Sequence, residues 1–168
     1  MIHKQLSHPN IIKLYGSFEK NDKLYIILEY VENGNLFELM KMKNLSESEV
    51  VSIFAQVISA ISYLHDRKIV HRDIKPENIL IDKTGVFKLC DFGFCAPFGD
   101  DTQRKTLCGT KEYLAPEVIN SQDQTDKLDI WCSGVLLYEL IHKKPPYPVI
   151  WASTGTDTAP WGEVICLK

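Results

Sequence analysis

The chain has 168 residues, 45% of them apolar, and its 19 basic and 22 acidic side chains leave a formal net charge of -3. That suffices for one globular body with a real core; repeats and low-complexity tracts are absent, and the bulk charge points neither to nucleic acid nor to an anionic membrane. The opening MIHKQLSHPN lacks an apolar run suited to a signal peptide, and no stretch approaches the run of about eighteen apolar residues that marks a spanning helix, so a soluble intracellular protein of cytoplasm or nucleus is expected.

In chain order, LYGSFEKNDKLYIILEY sets two aromatic and aliphatic runs around the polar turn Lys20-Asn21-Asp22-Lys23, which predicts a β-hairpin with its second strand at about Leu24 to Leu28. Next, Ser46 with Glu49 three residues on forms a capping-box signature. Behind it Val50, Phe54, Val57, Ile58, Ile61 and Leu64 recur at helical spacing, the strongest helix signal in the chain. Short apolar runs follow, KIV, ILI and VFKLC, the last two separated by the turn Asp82-Lys83-Thr84-Gly85, and these predict small strands. Residues 93 to 115 are rich in Gly, Thr and charge without periodicity, which predicts a long loop of the kind that is usually functional or disordered. Ile130 to Ile141 is apolar nearly all round, which predicts a helix buried on most faces; Pro145, Pro146 and Pro148 stop it, and Lys143-Lys144 offset its dipole.

Five cysteines, Cys90, Cys95, Cys108, Cys132 and Cys166, form no C-x-x-C pair, which argues against a disulfide framework and a zinc site. They read as reduced thiols used as small hydrophobes, Cys90 and Cys108 included. The chemistry is concentrated instead in VHRDIKPENILID, where Asp73, Lys75 and Asn78 lie within a few residues on loops between the long helix and the small strands. Carboxylate and amide oxygens without a histidine triad or metal-binding cysteines suit a hard cation such as Mg²⁺, with a phosphoryl group as the cargo.

The order of the motifs narrows this further. His71-Arg72-Asp73-Ile74-Lys75-Pro76-Glu77-Asn78 is followed by Asp91-Phe92-Gly93, by Gly109-Thr110, Tyr113 and Ala115-Pro116-Glu117, and by Asp129-Ile130-Trp131 with Gly134. This series resembles the eukaryotic protein kinases over residues 1 to 147, and HPNIIKLYGSF, YIILEY, HRDIKPENIL and RKTLCGT are similar to the Aurora kinases. The fold this implies is α+β and kinase-like in part: a small-lobe hairpin over residues 1–30, the first part of a mainly helical large lobe over 31–147, and a divergent tail over 148–168.

By that resemblance, Asp73 accepts the proton of a substrate hydroxyl, and Lys75 meets the γ-phosphate at the place usual in the Ser/Thr branch. Asn78 and Asp91 hold Mg²⁺. Leu28 falls at the gatekeeper position, the backbone of Glu29 and Val31 meets adenine, Leu80 floors that pocket, and Glu77 joins this ATP-binding set while also offering an acidic contact to a basic substrate. His71 and Phe92 stack in a spine in which His3 and Leu14 also have places, and Asp129 anchors the catalytic-loop backbone. In the activation loop, Thr106 is a phosphorylation site whose charge Arg72 neutralises, and Thr110 belongs to the same segment.

The resemblance thus implies ATP and Mg²⁺ as cofactors and a protein Ser/Thr substrate near basic residues. Departures from the family set a rival beside it. No G-x-G-x-x-G occurs, the strand lysine and helix glutamate that clamp ATP from above are not found, and Glu117 is expected to be buried without its usual arginine. A chain cut this way is expected to expose surfaces that promote association, and its tail reads as an alternative terminus, a faulty gene end or a true divergence. The second reading is therefore a non-catalytic module that competes with a full-length kinase for its partners.

Overall fold

A computed structural model describes residues 2–97, 110–120 and 122–147. The expected hairpin forms as β1 (Leu14–Lys20) and β2 (Lys23–Leu28), antiparallel, with Lys20 opposite Lys23. Its turn residues Asn21 and Asp22 take φ of 52° and 56°, the left-handed conformation that a tight two-residue hairpin loop demands and that Asn and Asp tolerate best.

Two helices follow. The first, α1 (Leu36–Met42), was not expected from the sequence; the Asn35 side chain caps it by accepting the Glu38 N–H at 3.0 Å, and it buries Leu36 and Met40. The second, α2 (Glu47–Asp66), has the expected capping box, with Ser46 Oγ and the Glu49 carboxylate exchanging hydrogen bonds with each other's backbone N–H. The Lys43 ammonium and the Ser46 bonds hold the exposed Glu49 carboxyl down at about 2. Contrary to expectation, α2 is long and apolar enough to cross a membrane by length and composition. It is a core helix, however: Val50, Ile53, Val57, Ala60, Ile61 and Leu64 are buried in the cluster that also takes in Leu36, Ile74, Leu128 and Leu136.

The short strands are β3 (Ile69–Val70), β4 (Ile79–Ile81), β5 (Phe87–Leu89) and β6 (Ala96–Pro97), paired β3 with β6 and β4 with β5. The Asp82 carboxylate closes the β4–β5 turn by accepting from Thr84 and Val86, and Gly85 supplies the positive φ of 82°. Ile12 N–H donates to the Leu89 carbonyl at 2.9 Å and Leu89 N–H to the Asn10 carbonyl at 2.8 Å, which docks the chain before the hairpin onto β5. After α3 (Pro116–Ile119) comes α4 (Lys127–His142), which ends with Lys143 at φ 59°, its N–H capping the Glu139 carbonyl before Pro145.

One expectation for α4 is corrected. Leu128, Cys132, Val135, Leu136 and Leu140 are buried, but Ile130 and Ile141 are 53% and 60% exposed and Tyr138 is exposed too. Only one face of α4 meets the core, because α2 and the segment around Tyr113 pack on that side alone among the described residues. Glu117 is likewise half-buried rather than buried.

Candidate active site

The loop between β3 and β4 carries the polar motif, and its shape is set from a distance. Asp129, fully buried on α4, accepts the His71 N–H on Oδ2 and the Arg72 N–H on Oδ1, both at 2.9 Å. The two amides thereby converge on one carboxylate, and Arg72 is held at φ 71°, a left-handed conformation that a non-glycine residue adopts only when its surroundings impose it. A third bond, from His65 on α2 at 2.8 Å, completes the shell of the buried charge.

His71 is fixed at both nitrogens. Nε2 donates to the Cys90 carbonyl at 3.0 Å, and Nδ1 accepts the Asp73 N–H at 3.4 Å, a pair of bonds that only the neutral ring can make. Burial holds its pKa below the usual imidazole value, against the opposing pull of Asp129. The Phe92 ring meets His71 edge-on at 5.1 Å and stacks on His3 at 4.3 Å, so the expected aromatic column is present with His3 at its top. Leu14 stands opposite Leu28 at the open end of the hairpin.

Asp73, Lys75, Asn78 and Thr110 form one bonded cluster. Asp73 Oδ2 accepts from Lys75 Nζ at 3.0 Å and from Asn78 Nδ2 at 2.8 Å, and the same amide nitrogen holds the Asp73 carbonyl at 2.8 Å. Thr110 Oγ1 donates to Asp73 Oδ1 at 3.1 Å and accepts from Lys75 Nζ at 2.7 Å, which ties residues 37 and 35 apart in sequence into the loop. With the carboxamide nitrogen engaged, the oxygen of Asn78 is its remaining ligand atom.

Asp91 adjoins this cluster, since Cys90 N–H donates to the Asn78 carbonyl at 2.9 Å. Its carboxylate is exposed at φ 59° and accepts the Gly93 N–H at 3.2 Å; a Cβ on Gly93 would sit 3.2 Å from the same oxygen, so a side chain there would crowd the acid. The oxygen donors suit Mg²⁺, yet no group of three acidic, His or Cys side chains forms a cage among the described residues.

The expected nucleotide-binding residues are distributed more widely. Leu28 and Asp91 line one cleft of about 500 Å³ together with His3, Ile26 and Phe92. Glu29 gives its N–H to the Lys13 carbonyl at 2.8 Å and its carboxylate to Lys88 at 3.1 Å. Leu80 bridges to Asn35, and Asn33 N–H donates to the Ile81 carbonyl at 3.1 Å, so the segment after Val31 runs along the strand that holds Leu80. Glu77 is exposed.

In the activation segment, the Arg72 guanidinium donates to the Phe94 carbonyl. Thr106, with Arg104, Lys105, Cys108 and Gly109, lies outside the described residues. Burial raises the Cys90 thiol to about 11 and pushes Cys95 higher still, so neither is a ready nucleophile, in line with their reading as packing residues.

Two contributors, His65 and Glu139, were not expected from the sequence, and Tyr113 was expected only as part of a motif. His65 reaches Asp129 from 64 residues away, and Tyr113 donates its hydroxyl to Glu139 in a buried bond between the activation segment and α4. Burial, then the Glu139 bond, raise the Tyr113 pKa; burial also raises that of Glu139, with the charges of Glu77 and Glu112 acting in the same direction. No local spacing announces such pairs, because each depends on how α4 docks.

Comparison with known proteins agrees with this geometry. The family model described as "Protein kinase domain" matches residues 1–158. The chain is 43% identical over 147 residues to "Aurora kinase" of Eremothecium gossypii, covering 87% of this chain and 40% of that protein. It is 40% identical over 148 residues to "Aurora kinase" of Encephalitozoon cuniculi, covering 87% of this chain and 54% of that protein. To "Aurora kinase C" of Mus musculus it is 40% identical over 158 residues, 94% of this chain and 56% of the relative. The chain thus spans about half the length of the curated relatives it matches.

Proposed function

Since the chain belongs to the protein kinase domain family, with Aurora kinases among its relatives, we propose that it transfers the γ-phosphoryl group of ATP to a protein Ser or Thr hydroxyl. The observation that carries this is the bonded cluster of Asp73, Lys75, Asn78 and Thr110, built on the Asp129 anchor with Asp91 beside it. Phosphoryl transfer asks a protein mainly for positioning and charge compensation, and these side chains supply both.

In this reading the substrate oxygen attacks the γ-phosphorus, the bond to the bridging oxygen breaks, ADP leaves, and the hydroxyl proton passes to the Asp73 carboxylate. Lys75 offsets charge on the moving phosphoryl group while its second bond to Thr110 keeps the activation segment against the loop. Asn78 Oδ1 and the Asp91 carboxylate would hold Mg²⁺, which would supply Lewis-acid neutralisation of the phosphates when bound. Leu28, Glu29, Val31 and Leu80 take the adenine end; the Glu29 N–H is occupied by Lys13, which leaves its carbonyl to meet the base.

We read the substrate as basic. Burial first, and then the charges of Glu77 and Glu112, raise the Glu139 pKa, so these three carboxylates lie close enough to feel one another, and a guanidinium entering there would relieve that crowding. Arg72 would receive a phosphate on Thr106. We further read residues 1–30 as belonging to a small lobe, 31–147 to a large lobe and 148–168 to a tail of its own.

The test is Mg-ATP-dependent labelling of a basic Ser/Thr peptide by the purified 168-residue chain, with Asp91→Asn as control. Labelling that disappears in the control is the expected outcome. No labelling from a folded, monodisperse sample would overturn the catalytic reading for this chain. The second reading, a binding module, is favoured by the exposed apolar side chains Tyr15, Phe18, Leu24 and Ile26 on the hairpin, and would then stand.

A further inference from the structure

Strand β2 has the sequence of an interior strand and the position of an edge strand. After its lysine, KLYIIL is an unbroken apolar run, as in strands covered on both faces, yet Leu24 to Leu28 are all exposed and β2 pairs only with β1 among the described residues. The opposite edge of the ribbon is blunted: β1 carries Glu19 and Lys20, and its register shifts between Leu14 and Gly16. Between Lys23 and Glu29, β2 has no charge to do the same.

The backbone decides which groups of β2 are open. In an antiparallel pair successive residues turn their N–H and C=O alternately toward the partner and away from it. Glu29 gives its N–H to Lys13 at 2.8 Å on the β1 side, and Lys23 closes the two-residue turn opposite Lys20, so Tyr25 and Ile27 also face β1. Leu24, Ile26 and Leu28 therefore face outward, and outside the hairpin none of their amides meets a backbone carbonyl among the described residues.

Turned about a twofold axis at Ile26, this edge is complementary to itself. Antiparallel pairing sets Ile26 against Ile26 and Leu24 against Leu28, so every outward N–H and C=O of these three residues finds a partner. The same register puts Tyr25 beside Ile27, an aromatic against a β-branched side chain, and Lys23 beside Glu29 at both ends, in the sites where side chains come closest. Glu29 already holds Lys88 at 3.1 Å, and a carboxylate has acceptor sites for a second cation. A slip of one residue sets outward groups against inward ones. A slip of two parts Lys23 from Glu29 and leaves one outward residue of each copy beyond the strand end. Hydrogen bonding and charge thus select one register.

We propose that two copies of the chain pair through β2 in this register and form one four-stranded sheet, in the order β1-β2-β2-β1. The edges left over are the two blunted β1 strands, so assembly closes at two. Four strands also escape the marginal stability of a lone hairpin. Leu24, Ile26 and Leu28 line the cleft that Asp91 and Phe92 border, so each copy extends the apolar roof of the other's cleft. The pairing itself does not rest on the catalytic reading.

Sedimentation equilibrium on the purified 168-residue chain decides this. With rising concentration the mass should go from one chain to two and stop there. Ile26→Pro removes the central outward amide and leaves the bonds to β1 in place; it should hold the mass at one chain throughout, with the far-UV circular dichroism retained. Lys23→Glu sets like charges together at both ends and should raise the dissociation constant about tenfold. Lys20→Glu makes the same change of charge on β1, away from the axis, and should leave the dissociation constant as it was. A single-chain mass at every concentration would overturn the proposal, as would growth beyond two chains, a dimer that survives Ile26→Pro, or equal effects of Lys23→Glu and Lys20→Glu.

Discussion

At Asp129 one carboxylate carries two backbone amides and an imidazole, so the loop conformation depends on a single buried side chain. Asp129→Ala would strand both amides and is expected to destabilise the chain by about 3 kcal/mol in urea titration, with labelling activity lost through loop disorder. Asp73→Asn should behave differently: the amide keeps the Asn78 and Thr110 neighbours near, stability changes little, and turnover falls by about 10²–10⁴ because no group takes the proton. His71 gives a pH signature. Its folded pKa lies below the ordinary value of 6.5 because of burial, so below about pH 6.5 the unfolded chain binds the extra proton. Stability present above pH 6.5 is therefore lost as pH falls toward the folded pKa, by up to about 1.4 kcal/mol per pH unit for this one site. His8 is lowered too, by burial and by Arg67, so the His71 share is the difference in slope between the native chain and His71→Phe; equal slopes would refute it. At this scale the grouping of Asp73, Lys75 and Asn78, with Asp91 beside them, was legible because the four stand in one series of short motifs. The partners His65 and Glu139 were not, because nothing local to them encodes where α4 docks.

Among the elements, α2 was legible at both levels, from its capping box and from its apolar spacing, and Ser46→Ala should cost about 1 kcal/mol in thermal or urea unfolding. The signal for α1 was present as well: Asn35 with Glu38 three residues on, then Leu36, Leu39 and Met40. Asn33, Gly34 and Asn35 are turn formers by type, and seven residues are too few for a helical period to stand out behind them. For α4 the all-round apolar character was read correctly, and burial on most faces did not follow from it. An apolar face is buried only where some other segment reaches it, and composition is silent on which segment that is. The Tyr113–Glu139 bond joins α4 to the activation segment inside the core. Tyr113→Phe should cost about 1–3 kcal/mol by leaving Glu139 unpartnered, and Tyr113→Phe with Glu139→Gln should recover part of that loss in the same unfolding assay.

For the molecule as a whole, the hairpin stands apart from the rest. Leu24, Tyr25, Ile26, Ile27 and Leu28 are all between 42% and 56% exposed, so β2 offers apolar side chains on both faces, while the core cluster lies around α2 and α4. A two-stranded ribbon of this kind is marginal alone in water, and contiguous apolar surface promotes association. Light scattering should show mass rising with concentration, and Leu24→Lys with Ile26→Glu should suppress that rise without altering the Trp131 environment. A strict monomer at high concentration would show that the hairpin is already covered. The architecture was legible as an order of motifs and small strands; the unequal packing of hairpin and helices was not, since it reflects which surfaces meet and not what any one stretch prefers.

The Asp129 anchor also has a consequence in time. His71 and Arg72 are synthesised 57 or more residues before the carboxylate that holds them, an interval of several seconds at about 5–20 residues per second. On the ribosome, the nascent chain therefore has the loop that carries Asp73 exposed but unshaped until α4 has emerged and docked, and any chaperone that shields HRDIKPEN must release it only after that moment. Arrest of translation before residue 129 should yield a loop readily cut by protease, and arrest well beyond α4 a protected one.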